Sequence, residues 1–310
     1  MMIAQTIKSC IRCLIPYGLI MLRRQKKQKY IERKQAEKIM EIKNYFLNLN
    51  LDKQEHEIIE IIDFFRKHEI STMFPYEFIQ NYNAMNIDVF FDKSNKTRYV
   101  IHENKRLYFP DMWNITQIQS YYNNLALEQD KDSPHRYETN KFAVKNGDVI
   151  VDIGAAEGIW ALQNIEKASK VYLFECESMW INALLKTFEP WKEKVIIVNK
   201  YISDKIDKKN VTLDNYFYGQ TINFIKADIE GMELKMLNGG NEILKKNCEL
   251  KILLCTYHQK DDFLKFKKLL EKMNFVTEYS KGYMIYIYDF NLDEPYIRHG
   301  LIRAKKLENL

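Results

Sequence analysis

The stretch Asp148-Val-Ile-Val-Asp-Ile-Gly-Ala-Ala-Glu-Gly158 decides the fold, because it runs an apolar strand straight into a turn of small residues. Val149, Ile150, Val151 and Ile153 form the near-continuous apolar run of a strand covered on both faces of a parallel sheet. Gly154, Ala155, Ala156 and Gly158 then let the main chain approach a ligand that larger side chains would hold off. A dinucleotide fingerprint, G-x-G-x-x-G, would need a small residue where the chain has Ile159. The small positions fall instead at 154, 156 and 158, with Asp152 two residues before the first glycine. Lys170-Val-Tyr-Leu-Phe-Glu175 is a second apolar strand, and it ends in an acid. That acid lies roughly 20 residues past the turn, where a nucleotide fold sets a carboxylate on ribose hydroxyls.

The alternation continues. Val195–Val198 leads to Ile202-Ser-Asp204, and Ile222–Asp228 runs into Ile229-Glu-Gly-Met-Glu233 and a helix to about Lys246. Leu250–Cys255 ends in Thr256-Tyr-His258, an amphipathic helix spans Asp261–Met273, and Phe275–Tyr279 with Tyr283–Tyr288 reads as a closing antiparallel hairpin. Strand and helix alternating in this way predict an α/β fold, a Rossmann-like doubly wound sheet of seven strands. Ligands of open α/β sheets bind beyond the carboxyl ends of the strands, so Asp152, Glu175, Asp228 and His258 are expected neighbours.

An α+β extension precedes this domain. The periodicity of Ile58, Ile61, Ile62 and Phe65 predicts a packing helix over Glu55–Lys67, and three short strands follow at Asp88–Asp92, Thr97–His102 and Lys105–Phe109. A further helix spans Thr116–Glu128. The expected organisation is a tail at 1–30, an accessory region at 31–140, the nucleotide-type domain at 141–290 and a C-terminal tail at 291–310. Ser133-Pro-His-Arg-Tyr-Glu138 sits at the expected pocket mouth, where His135, Arg136 and Glu138 could hold a polar substrate. For His135 and Arg136, a loop fastened by ordinary ion pairs is an equally suitable reading.

The formal net charge of the 310 residues is +5, but seven basic residues and no acid fall within the first 30, which leaves the remainder slightly acidic. A basic groove for nucleic acid is therefore not expected. The apolar run Cys10–Leu22 is too short, and too interrupted by Arg12 and Pro16, for the roughly 20 residues a spanning helix needs. Ile3, Ile7, Cys10, Ile11 and Leu14 share one helical stripe opposite Gln5, Lys8, Ser9 and Arg12, which suits an anionic membrane surface or an ordinary docked helix. The five cysteines lack disulfide-framework spacing and point to a reducing compartment, so a cytoplasmic protein, peripheral on the inner membrane face, is the expectation.

The strand-turn motif at Asp152–Gly158 resembles motif I of the class I S-adenosylmethionine methyltransferases. With Phe174-Glu175, Val211-Thr-Leu-Asp214 and Ile225-Lys-Ala-Asp-Ile-Glu-Gly-Met-Glu233, the chain from about 138 to 290 resembles the FkbM family of these enzymes. It departs from the family pattern at Ala156, where members typically carry Asn. The resemblance implies O-methylation, often of a sugar hydroxyl in surface polysaccharide biosynthesis. The alternatives are another small-molecule acceptor, or a donor-binding scaffold without turnover. It implies S-adenosylmethionine as cofactor, held by Asp152, Gly154, Ala156, Gly158, Glu175, Ser203 and Asp204. Asp228 is the first candidate for a base that draws the proton from the acceptor, and His258, with an ordinary pKa of about 6.5, the second. Glu230 and Glu233 are expected at the substrate; they could join Asp228 around a divalent cation, though no resident metal is expected.

Overall fold

The computed structural model describes residues 17–306, and the amphipathic stripe expected between Ile3 and Leu14 lies outside them. Two compact units are present, one of residues up to Met73 with Tyr286–Tyr296, the other of Phe74–Ile285 with the segment from Ile297 onward. In the first, helix α1 (Tyr17–Leu47) packs on α2 (His56–Lys67). Ile42 and Phe46 of α1 are buried with Ile61, Ile62 and Phe65 of α2, and Phe46 stacks on Phe65 at 5.5 Å. The outer side of α1 is laced by same-face pairs such as Arg33–Glu37 at 2.8 Å. Tyr296 packs on Tyr45 and donates to Glu41 at 2.7 Å, fixing the 286–296 segment to the helix. No helix among the described residues is long and apolar enough to cross a membrane.

The second unit opens with an antiparallel meander of β1 (Phe90–Asp92), β2 (Thr97–His102) and β3 (Lys105–Tyr108). Helix α3 (Ile115–Glu128) starts on a capping box in which Asn114 and Gln117 satisfy each other's backbone N–H groups. The main domain then runs β4 (Val149–Ile153), α4 (Ile159–Asn164), β5 (Lys170–Phe174), α5 (Ser178–Thr187) and β6 (Val195–Val198). A two-stranded parallel pair, β7 (Tyr201–Ile202) and β8 (Asn210–Val211), leads to the short α6 (Leu213–Tyr216). The chain continues through β9 (Phe224–Ala227), α7 (Glu233–Asn238), α8 (Asn241–Lys246), β10 (Lys251–Cys255), α9 (Asp262–Lys272), β11 (Phe275–Tyr279) and β12 (Leu301–Lys306).

Seven strands form one sheet in the order β6-β5-β4-β9-β10-β12-β11, with β12 antiparallel to both neighbours and the pairings from β6 through β10 parallel. The order reverses at β4, so a crevice opens beyond the carboxyl ends of β4 and β9. Alternate residues Val151, Ile153, Ile225, Ala227, Ile252 and Leu254 bury one face against Leu213, Phe217, Met236, Leu237 and Phe266.

Two expectations need correction. The partner of β11 is not Tyr283–Tyr288 but Leu301–Lys306, so the segment read as a C-terminal tail supplies an inner strand. Within 283–288 only Met284 pairs, in an isolated bridge to Arg298. The helix expected to run from Glu233 to Lys246 is broken at Gly239-Gly240, where the chain passes so close to Ser203 that a Cβ on Gly239 would lie 2.0 Å from its carbonyl oxygen.

Candidate functional site

The turn after β4 is shaped by close approach. Gly154 has φ 72°, and a Cβ there would lie 2.1 Å from the carbonyl oxygen of Asp228 at the end of β9. Two strand ends are thereby pressed together, and beside them lies a cavity of about 630 Å³, within the range of small-molecule sites. Its lining includes Gly154 and Ala156 of the turn, Glu175 and Trp180, Ile202 and Asn210, and Asp228, Glu230 and Met232.

Glu175 is held at the end of β5 by three backbone donors, the N–H groups of Ala156 at 2.8 Å and of Cys176 and Glu177 at 2.7 Å each. A carboxylate so fixed still has lone pairs free to accept further hydrogen bonds. Beside it, Trp180, Ile202 and Met232 offer apolar surface to a flat ring.

Four residues expected at the cofactor lie away from the cavity. Asp152 is buried and ion-paired at 2.9 Å with Lys226, its cross-strand partner on β9. Gly158 caps α4 in a left-handed conformation, its missing Cβ making room for Leu184 and Phe188, both 2.8 Å from where that atom would stand. Ser203 is buried, its hydroxyl on Asp204 at 3.2 Å, and Asp204 is exposed; the cavity is reached by Lys200, Tyr201 and Ile202 just before them.

Asp228 is the centre of a polar cluster. Tyr137 donates to its Oδ2 and Tyr257 to its Oδ1, each at 3.2 Å. His135 Nε2 lies 3.7 Å from Oδ2 and His258 Nε2 lies 3.4 Å from Oδ1. Burial alone would raise the Asp228 pKa, but His258, His135 and Lys226 outweigh it and hold the carboxyl below its ordinary range. Asp228 is thus a carboxylate at neutral pH. Burial also works against charge on His258, but Glu233, Asp228 and Glu230 raise its pKa above the ordinary value. Burial instead pushes His135 down to about 4, so it is neutral.

The proposed substrate residues divide. His135 stands behind Asp228 and is 1% exposed, out of a substrate's reach. Glu138 accepts from Trp160 Nε1 at 2.7 Å, from the amide of Asn164 and from Val144 N at 3.2 Å, which makes it a fastener. Arg136 donates to the carbonyl of Glu138 at 3.0 Å and lines a separate recess of about 350 Å³. Glu230 is exposed and lines the cavity, whereas Glu233 is wholly buried and accepts from Ile229 N at 2.9 Å.

Sequence reasoning overlooked Lys226, Tyr137, Tyr257 and Glu157. A lysine inside the apolar run Ile222–Asp228 was the available signal, since a buried ammonium requires a buried acid. Arg298 and Arg303, both from the supposed tail, brace the cluster: Arg298 donates to the carbonyls of Tyr257 and His258 at 2.7 and 2.8 Å, and Arg303 to that of Tyr137 at 3.0 Å.

Burial raises Glu157, which accepts from Tyr121 at 2.8 Å, to about 7. A carboxyl whose folded pKa exceeds its unfolded one binds its proton more tightly when folded, so stability falls as pH rises from about 4.5 and levels off above about 7. Glu157→Gln should flatten this slope and gain about 3 kcal/mol at pH 8, at 1.36 kcal/mol per unit. Urea unfolding of both proteins at pH 5 and pH 8 checks this; parallel slopes would refute it.

A family profile described as Methyltransferase FkbM domain matches residues 116–277, more than half of the chain. No curated protein matches the chain. Among solved structures, similarity extends to the methyltransferase FkbM of Methylobacillus flagellatus KT, at 16% identity and a TM-score of 0.43, covering 61% of this chain and 54% of that one. The chain thus spans little more than half the length of that relative. A precorrin-6y C5,15-methyltransferase of Geobacter metallireducens GS-15 is similar at 14% identity and a TM-score of 0.38, over 54% of this chain and 84% of the other. An rRNA methylase of Streptococcus thermophilus is similar at 16% identity and a TM-score of 0.38, over 53% and 89% respectively.

Proposed function

The chain belongs to the FkbM methyltransferase family, and from that premise we propose that it transfers a methyl group from S-adenosylmethionine to a sugar hydroxyl of a surface glycan or its precursor. The observation that carries the chemistry is Asp228, an ionised carboxylate on the wall of the cavity formed by the Gly154-Ala156 turn and Glu175. The cavity fits the donor: Glu175 would take the ribose hydroxyls, Trp180 and Ile202 would flank the adenine, and the absence of a side chain at Gly154 leaves the turn close to Asp228. When bound, the donor supplies a methyl group on a positively charged sulfur.

The chain does the rest by placement and proton handling. Tyr137 and Tyr257 fix the Asp228 carboxylate, which accepts the hydroxyl proton as the acceptor oxygen becomes a nucleophile. Holding acceptor and donor in line contributes up to roughly 7–11 kcal/mol of barrier lowering. The polar rim of Lys200, Lys209, Asn210 and Glu230 supports a hydroxyl-rich acceptor. For the basic tail at 1–30, the reading remains attachment to an anionic membrane surface on the cytoplasmic side, with no role for nucleic acid.

Incubation with isotopically labelled donor and, in parallel, extracted surface glycans, small phenols and RNA tests the acceptor class. Label is expected in the glycan fraction. Label confined to phenols or RNA would refute the sugar assignment while leaving methyl transfer standing.

A further inference from the structure

We infer that Asp228, Glu233 and His258 form a divalent-cation site beside the methyl-transfer cavity. The inference deepens the function proposed above and rests on it, because Asp228 is the group assigned to the acceptor. One ligand atom from each of the three residues lies within 4.8 Å of the others. Two metal–ligand bonds of about 2.1–2.4 Å reach across roughly that span, so a single ion can meet all three with small side-chain adjustment.

Glu233 supplies an independent observation. It is 0% exposed, its Oε1 accepts from Ile229 N at 2.9 Å, and its Oε2 is buried with no hydrogen-bond donor. A buried carboxylate oxygen without a donor is costly. His258 Nδ1 lies 3.2 Å from Oε1, which leaves Oε2 for another electrophile.

Charge points the same way. Asp228 and Glu233 set two carboxylates beside one imidazole. A divalent cation with a neutral imidazole balances the two carboxylates. Two carboxylates and one imidazole suit a borderline ion such as Mn²⁺ or Zn²⁺ better than Ca²⁺, which seeks six to eight oxygens.

With Asp228 Oδ1 on the cation, Oδ2 stays available for the acceptor proton, and an open coordination position would polarise the same hydroxyl. The reading from sequence placed Glu230 in the third position and expected no resident metal. The structure puts Glu230 3.7 Å from His258 Nε2 with an 82% exposed side chain, and brings the imidazole in instead.

The test uses the full chain, stripped with EDTA and titrated with Mn²⁺ alone, following the paramagnetic resonance signal of the free ion. One Mn²⁺ per chain is expected. Glu233→Gln and His258→Ala should each weaken binding by at least about 10–100-fold, the range lost when even a supporting group is removed. Asp207→Asn, on an exposed turn, should leave it unchanged. Calorimetry with S-adenosylhomocysteine on every protein reports the fold and the donor cavity, and if one variant loses that binding the other decides. Lost Mn²⁺ with retained S-adenosylhomocysteine supports the site. No stoichiometric Mn²⁺ in the wild type, or equal affinity in a folded variant, overturns it. A wild type that binds Mn²⁺ but not S-adenosylhomocysteine would keep the metal site and sink the methyltransferase reading.

Discussion

Asp228→Asn should lower kcat and kcat/KM together by about 10²–10⁴-fold, the usual contribution of a positioned base, while affinity for S-adenosylhomocysteine stays nearly unchanged. The amide keeps the shape and an oxygen that accepts from Tyr257 or Tyr137, so the cavity wall survives. What it cannot do is take a proton. The parallel fall distinguishes this role from uniform binding, because an interaction made only in the transition state changes kcat and leaves KM alone. Single-turnover transfer with labelled donor, beside calorimetry of the product complex, separates the two quantities. Undiminished turnover would show that Asp228 is not the base. Because His258, His135 and Lys226 outweigh burial and hold Asp228 below the ordinary carboxylate range, wild-type activity should show no loss from Asp228 protonation near neutrality.

The central sheet was legible because its strands are short apolar runs between turns, a pattern that secondary structure imposes locally. Val149–Ile153, Val195–Val198 and Lys251–Cys255 lie within a residue of where periodicity puts them. β12 was not legible, because Leu301-Ile-Arg-Ala-Lys-Lys306 carries three cations and looks like a solvated end. Its Arg303 is nevertheless buried, its charge answered by the carbonyl of Tyr137 and by Glu278 at 3.3 Å, neither of which is near it in sequence. The site shows the same division. Glu175 and Asp228 follow from being the acids that terminate strands. The inward turn of Asp152 follows from its register with Lys226, which only sheet topology sets. Position along a strand announces that a carboxylate is near the ligand edge; its neighbour across the ladder decides whether it faces the ligand.

Lys226→Met should cost about 3–5 kcal/mol of stability, the loss seen when one partner of a buried ion pair is removed and the other stays charged. The ammonium is 4% exposed, sits 2.9 Å from Asp152, donates to the Gly154 carbonyl at 3.0 Å and lies 5.3 Å from the Tyr137 ring centroid. Burial opposes its charge, but Asp152 and Asp228 outweigh that and keep it above the ordinary lysine range. One side chain thus ties the donor turn to the tyrosine that steadies Asp228. Its removal should weaken S-adenosylhomocysteine binding even in the folded fraction. Asp152 is already raised by burial despite the lysine, so in the variant it takes up a proton more readily still. An acid whose folded pKa exceeds its unfolded one loses stability as pH climbs from the unfolded value through the folded one, so the deficit should be smaller at pH 5 than at pH 8. The double variant Asp152→Asn with Lys226→Met removes the stranded charge and should recover most of the lost stability, a coupling that denaturant midpoints of the four proteins measure. Additive losses in that cycle would mean that the lysine acts through packing alone. Recovered stability without recovered donor affinity would locate its functional part in the contacts the double variant cannot restore, the hydrogen bond to Gly154 and the approach to the Tyr137 ring.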